Sequence, residues 1–147
     1  MKNPYMEQAI IEAKKAFELG EVPVGAVIVY KGDIISRAHN LRENYNNALA
    51  HAEILAINEA CKKLNSWRLD NCELYVTLEP CPMCAGAIIN ARISSVYFGA
   101  YDPKGGACGS VVDLFMKGGF NHSPALYCGI MEDACEEVLK EFFRKLR

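Results

Sequence analysis

At 147 residues, with 51% hydrophobic and 23% charged residues, the chain has the balance of one globular domain, which buries roughly 70% of the surface its unfolded form would expose. That composition excludes a disordered or fibrous chain, and a net charge of -2 excludes a global basic field for gathering nucleic acid, so any RNA contact has to be local. No apolar run approaches the ~20 residues of a membrane span, the amino terminus lacks the apolar segment of a signal peptide, and seven irregularly spaced cysteines suit a reducing compartment, which together predict a cytoplasmic protein with no membrane partner.

No repeat or linker interrupts the sequence, which predicts a single domain over residues 1–147. Asn3 before Pro4 is a cap followed by a first-turn residue, and Met6, Ala9, Ile10, Ala13 and Phe17 mark one face of a helix that runs to Leu19 and stops at Gly20. The apolar run 22–30, a turn at "KGD" and a second strand over 34–39 predict a hairpin whose first strand is central. A polar loop leads to a helix over 50–64 and a strand over 74–78. The next helix spans 81–91, where Pro82 suits the first turn and leaves Cys81 at the cap. A strand at "SSVYFG", a glycine-rich loop over 102–110, a turn near 112–116, a strand over 126–128 and a helix from about Glu132 complete the order, a three-layer α/β plan.

Two clusters carry chemistry: "HAE" at 51–53 and "PCPMC" at 80–84. Side chains lean toward the amino end of their helix, so first-turn residues of two helices can converge on one point beyond both ends. The positive end of a helix also favours thiolates at Cys81 and Cys84. His51, Cys81 and Cys84 therefore form a candidate zinc site, and three protein ligands leave the fourth tetrahedral position for water, the pattern of a catalytic rather than a structural zinc. The chemistry this supplies is hydrolysis by metal-activated water, with Glu53 moving the protons and an amine leaving as ammonia. Glu79 is the rival proton carrier, but its position before the cysteines reads better as a carboxylate accepting backbone hydrogens at a strand-to-helix junction. His39 reads as a strand-end residue, His122 as a loop residue, and Cys61, Cys72, Cys108, Cys128 and Cys135 as small buried side chains. The basic end at 142–147 reads as a helix finishing with cations.

His-x-Glu followed about thirty residues later by Pro-Cys-x-x-Cys resembles the cytidine deaminase-like zinc deaminase superfamily. "EVPVGAVIV", "HAEILAINEA", "LYVTLEPCPMCAGAIINARI", "VYFGAYDPKGGACGS", "NH" at 121–122 and "EFFR" extend the likeness, across almost the full length, to the bacterial tRNA-specific adenosine deaminase family. The chain departs from that family's usual Asp-Pro-Thr-Ala before the histidine, with "NALA" at 47–50. The resemblance implies a three-layer α/β/α fold around a five-stranded mixed sheet and a homodimer with one zinc ion per subunit. It also implies deamination of the wobble adenosine of a tRNA anticodon stem-loop to inosine, with no DNA partner. By position, His51, Cys81 and Cys84 are the implied zinc ligands, Glu53 the acid/base, and Asn40 the reader of the purine edge. Asp102, Lys104 and Asn121 line the implied RNA cleft, and Phe142 and Phe143 offer stacking surface. A free nucleobase or nucleoside deaminase of guanine or cytosine type is the alternative, disfavoured by "DPKGGACGS" and the basic end.

Overall fold

The computed structural model describes residues 2–116 and 119–146, and its elements follow the sequence pattern closely. Helix α1 (Pro4–Glu18) begins where Asn3 accepts the amide hydrogens of Tyr5 and Met6 through its side chain, with Pro4 at the first turn. Strand β1 (Gly25–Tyr30) and strand β2 (Asp33–His39) form the hairpin, joined by Lys31 and Gly32, both with positive φ. Residues 22–24 stay outside β1, because Pro23 has no amide hydrogen and the Val24 amide turns back onto the Val22 carbonyl. Helix α2 (Ala52–Leu64), strand β3 (Cys72–Leu78), helix α3 (Pro82–Ala91), strand β4 (Ser95–Ala100), strand β5 (Ala125–Tyr127) and helix α4 (Glu132–Lys145) follow.

The five strands make one mixed sheet in the order β2-β1-β3-β4-β5, with β1 antiparallel to both neighbours and β3, β4 and β5 parallel. The first strand is thus paired on both sides, while the middle position belongs to β3. Alternate residues of β1 face opposite layers. Ala26 and Ile28 pack with Ala52, Ala56 and Ala60 of α2 and Ile88 of α3, whereas Val27 and Val29 pack with Met6, Ala9 and Ile10 of α1. Helices α2 and α3 cover one face and α1 and α4 the other, the three-layer α/β/α plan. Gly25 permits the close approach of α1, since a Cβ there would overlap the Ala9 carbonyl oxygen and the Ala13 nitrogen.

Four tyrosines cross the α1/α4 face of the sheet: Tyr5 against Tyr75 at 5.1 Å, Tyr75 stacked on Tyr97 at 4.3 Å, and Tyr97 on Tyr127 at 4.6 Å. The single tryptophan, Trp67, sits 62% exposed in the turn after α2, with the guanidinium carbons of Arg68 and Arg92 at 5.4 and 5.8 Å from its ring. Among the described residues, no helix is long and apolar enough to cross a membrane.

Strand direction decides where the polar residues gather. Because Gly25 pairs with His39, Ala26 with Val76, and Leu78 with Ala100, the start of β1 and the ends of β2, β3 and β4 share one edge of the sheet. The segments leaving that edge carry Asn40, the Glu79–Cys81 turn and Asp102, and parallel strands open their binding crevice on this side.

Candidate functional site

Two helices start over that edge. The backbone of His51 is extended (φ -76, ψ 152) at the cap of α2, and Cys81 (φ -75, ψ 174) holds the same place on α3. Neither side chain caps its helix. Both turn instead toward a common point, with His51 Nδ1 at 3.7 Å from Cys81 Sγ and 3.6 Å from Cys84 Sγ. The three donor atoms lie within 4.8 Å of one another, and among the described residues they form the only His, Cys, Asp and Glu group able to hold a metal ion. An imidazole with two thiolates is a donor set for a borderline-soft cation.

The hydrogen bond between the two thiols drives them in opposite directions. A hydrogen bond from Cys84 holds the Cys81 thiol down at about 4, aided by His51, while burial opposes it. The same bond, followed by burial, pushes Cys84 far up. His51 is raised first by its hydrogen bond to Cys81. Glu53, in the first turn of α2, is 4% exposed, and burial pushes its carboxyl up to about 7, with the Cys81 charge adding to the rise and His51 opposing it.

Glu53, His51 and Cys81 share a cavity of about 140 Å³ with Asn40, Asp102 and the apolar walls of Val22, Val24 and Leu78. Asn40 is held at both ends of its amide: Nδ2 donates to the Val22 carbonyl at 3.1 Å and Oδ1 accepts from the Arg42 amide at 3.1 Å. Asp102 also closes its own turn, accepting from the amides of Lys104 at 3.2 Å and Gly105 at 3.1 Å. Glu79 touches the cavity, but its carboxylate accepts the amide hydrogens of Asp102, Cys108 and Ser110, the junction role expected of it. A larger cavity, about 720 Å³ between Asn3 and the first turn of α4, contains neither histidine nor cysteine.

The remaining sequence candidates lie elsewhere. Lys104 and Asn121 are exposed on loops and outside the cavity lining. Phe143 is 46% exposed on α4. Phe142 corrects the expectation of a stacking surface: it is 7% exposed and packs edge-on against Phe17 at 5.6 Å, which removes its ring faces from any incoming base. The last residue of the basic end, Arg147, lies outside the described residues. Sequence reasoning missed Arg42, an exposed cation that lines the same cavity as Asn40 and Glu53, and the only signal for it was its place two residues past Asn40. His39 and His122 are not ligands: His39 pairs with Glu12 at 2.8 Å, and His122 bonds the Ile93 carbonyl.

Comparison with known proteins adds four findings. A family model described as MafB19-like deaminase matches residues 1–147. A protein of Bacillus subtilis strain 168 named tRNA-specific adenosine deaminase is 56% identical over 143 residues, covering 97% of this chain and 89% of the relative. Among solved structures, one from a study of A-to-I editing by tRNA:A34 deaminases at the wobble position of transfer RNA has a TM-score of 0.91 at 47% identity, covering 94% of this chain and 100% of the other. A guanine deaminase from Bacillus subtilis has a TM-score of 0.66 at 36% identity, covering 86% and 85%.

Proposed function

The chain belongs to the MafB19-like deaminase family, alongside the tRNA-specific adenosine deaminases, and from that membership we propose that it converts the wobble adenosine of a tRNA anticodon to inosine by zinc-dependent hydrolysis, releasing ammonia. The observation that carries this reading is the joint placement of His51, Cys81, Cys84 and the buried Glu53 over one small cavity. Zinc suits the donors. A tetrahedral ion with Zn–S near ~2.3 Å and Zn–N near ~2.0–2.1 Å requires N···S edges of about 3.6 Å, and the two observed edges are 3.6 and 3.7 Å. When bound, zinc supplies the Lewis acidity that makes water nucleophilic near neutral pH.

The protein's own groups do the rest. Glu53 takes a proton from the attacking water and passes it to the purine nitrogen beside the reacting carbon, then takes the remaining proton from the added hydroxyl and delivers it to the departing amine. The water oxygen becomes the inosine carbonyl as the exocyclic C–N bond breaks. Asn40, its amide already oriented by Val22 and the Arg42 backbone, has one further N–H and a free lone pair for the purine edge. Val22, Val24 and Leu78 enclose the base and keep bulk water from the reacting carbon. Asp102, Lys104, Asn121 and Phe143 are assigned to the flanking RNA. The enzyme acts as one domain over residues 1–147, as a cytoplasmic homodimer with one zinc per subunit. Exposed Val111, Val112, Met116 and Phe120 in one segment support a covered surface of this kind.

Incubation of zinc-loaded protein with an anticodon stem-loop RNA should yield inosine and stoichiometric ammonia. The likeness to a guanine deaminase favours one second reading, action on a free base. Ammonia release from guanine, with the RNA untouched, would decide for it.

A further inference from the structure

We infer that Glu79 is a positioning residue for substrate: its carboxylate fastens the Asp102–Ser110 loop to the β3–α3 junction and so fixes the wall against which a nucleotide strand entering the cavity is held. This rests on the polynucleotide reading above. Glu79 is 2% exposed, and its two oxygens face donors only. Oε1 accepts the Asp102 amide at 3.0 Å and the Ser110 hydroxyl, and Oε2 accepts the amides of Cys108 and Ser110 at 3.0 Å each. One side chain thereby ties both ends of a nine-residue loop. The fastening is repeated in the backbone, where the Ala107 amide donates to the Pro80 carbonyl and the Glu79 amide to the Ala100 carbonyl, both at 2.9 Å.

Gly106 gives independent support. A Cβ at this position would overlap the Glu79 carboxylate, and its φ lies outside the left-handed region, so the glycine is required by close approach and not by backbone conformation. Asp102 connects this fastening to the cavity, because it donates its amide to Glu79 while lining the same space as His51 and Glu53. A carboxylate suits the task better than an amide. A glutamine would turn an NH2 group toward two N–H donors, or toward one N–H and a hydroxyl, and leave at least one buried amide without an acceptor.

The test compares zinc-loaded wild type, Glu79→Gln and Gly106→Ala in the full chain. Both variants should keep one zinc per chain, exchange the Asp102, Cys108 and Ser110 amide hydrogens at least about tenfold faster, and raise KM for the stem-loop RNA about tenfold with kcat within about twofold. If Glu79→Gln does not fold, Ser110→Ala removes a single bond and should raise KM about two- to threefold, with faster exchange at Ser110. A fall in kcat at unchanged KM and unchanged exchange would make Glu79 a proton carrier and overturn the inference. Loss of zinc with the three amides still protected would also overturn it, by making Glu79 a support for Cys81. Exchange is read without substrate, so an inactive wild type would sink the RNA reading while the loop contact is still judged.

Discussion

The amino-terminal ends of α1 and of α2 and α3 face the same physical problem, amide hydrogens with no partner in the helix, and meet it differently. At α1, Asn3 stands in the cap and accepts two of those hydrogens. At α2 and α3 the cap positions hold His51 and Cys81, whose side chains make no standard capping bond and turn to each other across 3.7 Å. Two helix ends have given up capping, worth about 1 kcal/mol each, to bring three metal donors together. The dipoles left uncompensated there favour the negative charge that the thiolates bring. The Cys81 thiolate already brings to the start of α3 the negative charge that a helix end favours, so the protein's stability and its chemistry meet at the same atoms.

The comparison breaks most visibly at the cysteines. Cys81→Ser should leave metal content near zero and lower deaminase turnover at least about a thousandfold, read by zinc analysis and inosine release, whereas Asn3→Ala should change neither. Glu53→Gln should separate holding from proton transfer: full zinc content with turnover reduced about 10²- to 10⁴-fold. Metal loss in that variant would mean that Glu53 supports the ligands instead.

Glu21 links the two regions, since it sits just past α1 and accepts the amides of Glu43 and Asn44 and the Asn44 side chain in the loop that leads to His51. Burial pushes its carboxyl up, but the hydrogen bonds from Asn44 and Glu43 outweigh burial and hold it below the usual 4.5. Its folded value is depressed, so its stabilisation is present above the unfolded value and lost as pH falls through the folded one. Glu21→Gln should cost about 2 kcal/mol near neutral pH and flatten the acid limb of a urea-denaturation series. The smallest effect sharpens the comparison directly. In chelator-treated protein, His51→Asn should be more stable than His51→Ala by about 1 kcal/mol, because asparagine restores the cap that histidine does not provide, and Asn3→Ala should cost a similar amount with or without metal.

What was legible in the sequence follows from locality. The start of α1, the hairpin turn and the placement of Cys81 at a cap are fixed by residues within a turn of one another, and the metal cluster was readable because helix-end geometry is the same in any fold. Glu79 could be assigned its junction role from position alone, but the loop it holds lies 23 to 31 residues downstream, and only the parallel pairing of β3 with β4 brings the two together. Arg42 lines the cavity from the loop after β2, and although the hairpin itself was legible, nothing in the local pattern says that this loop folds over the starts of α2 and α3. Phe142 misled because an aromatic near a basic helix end reads the same whether it faces solvent or, as here, a phenylalanine on α1. The beginning of β1 was placed early because an apolar run does not reveal that Pro23 keeps its first residues out of the ladder.

The distribution of aromatic rings has a spectroscopic consequence. The lone indole looks out at solvent between two arginines, while the stacked tyrosines reach into the packed interior of the sheet face. Emission from Trp67 will hardly change colour when the chain melts, whereas near-ultraviolet dichroism from the tyrosine stack will collapse with the sheet. For a cooperative transition the two signals share one midpoint, but only the tyrosine signal has the amplitude to define it, so it is the one that reports on the body of the molecule.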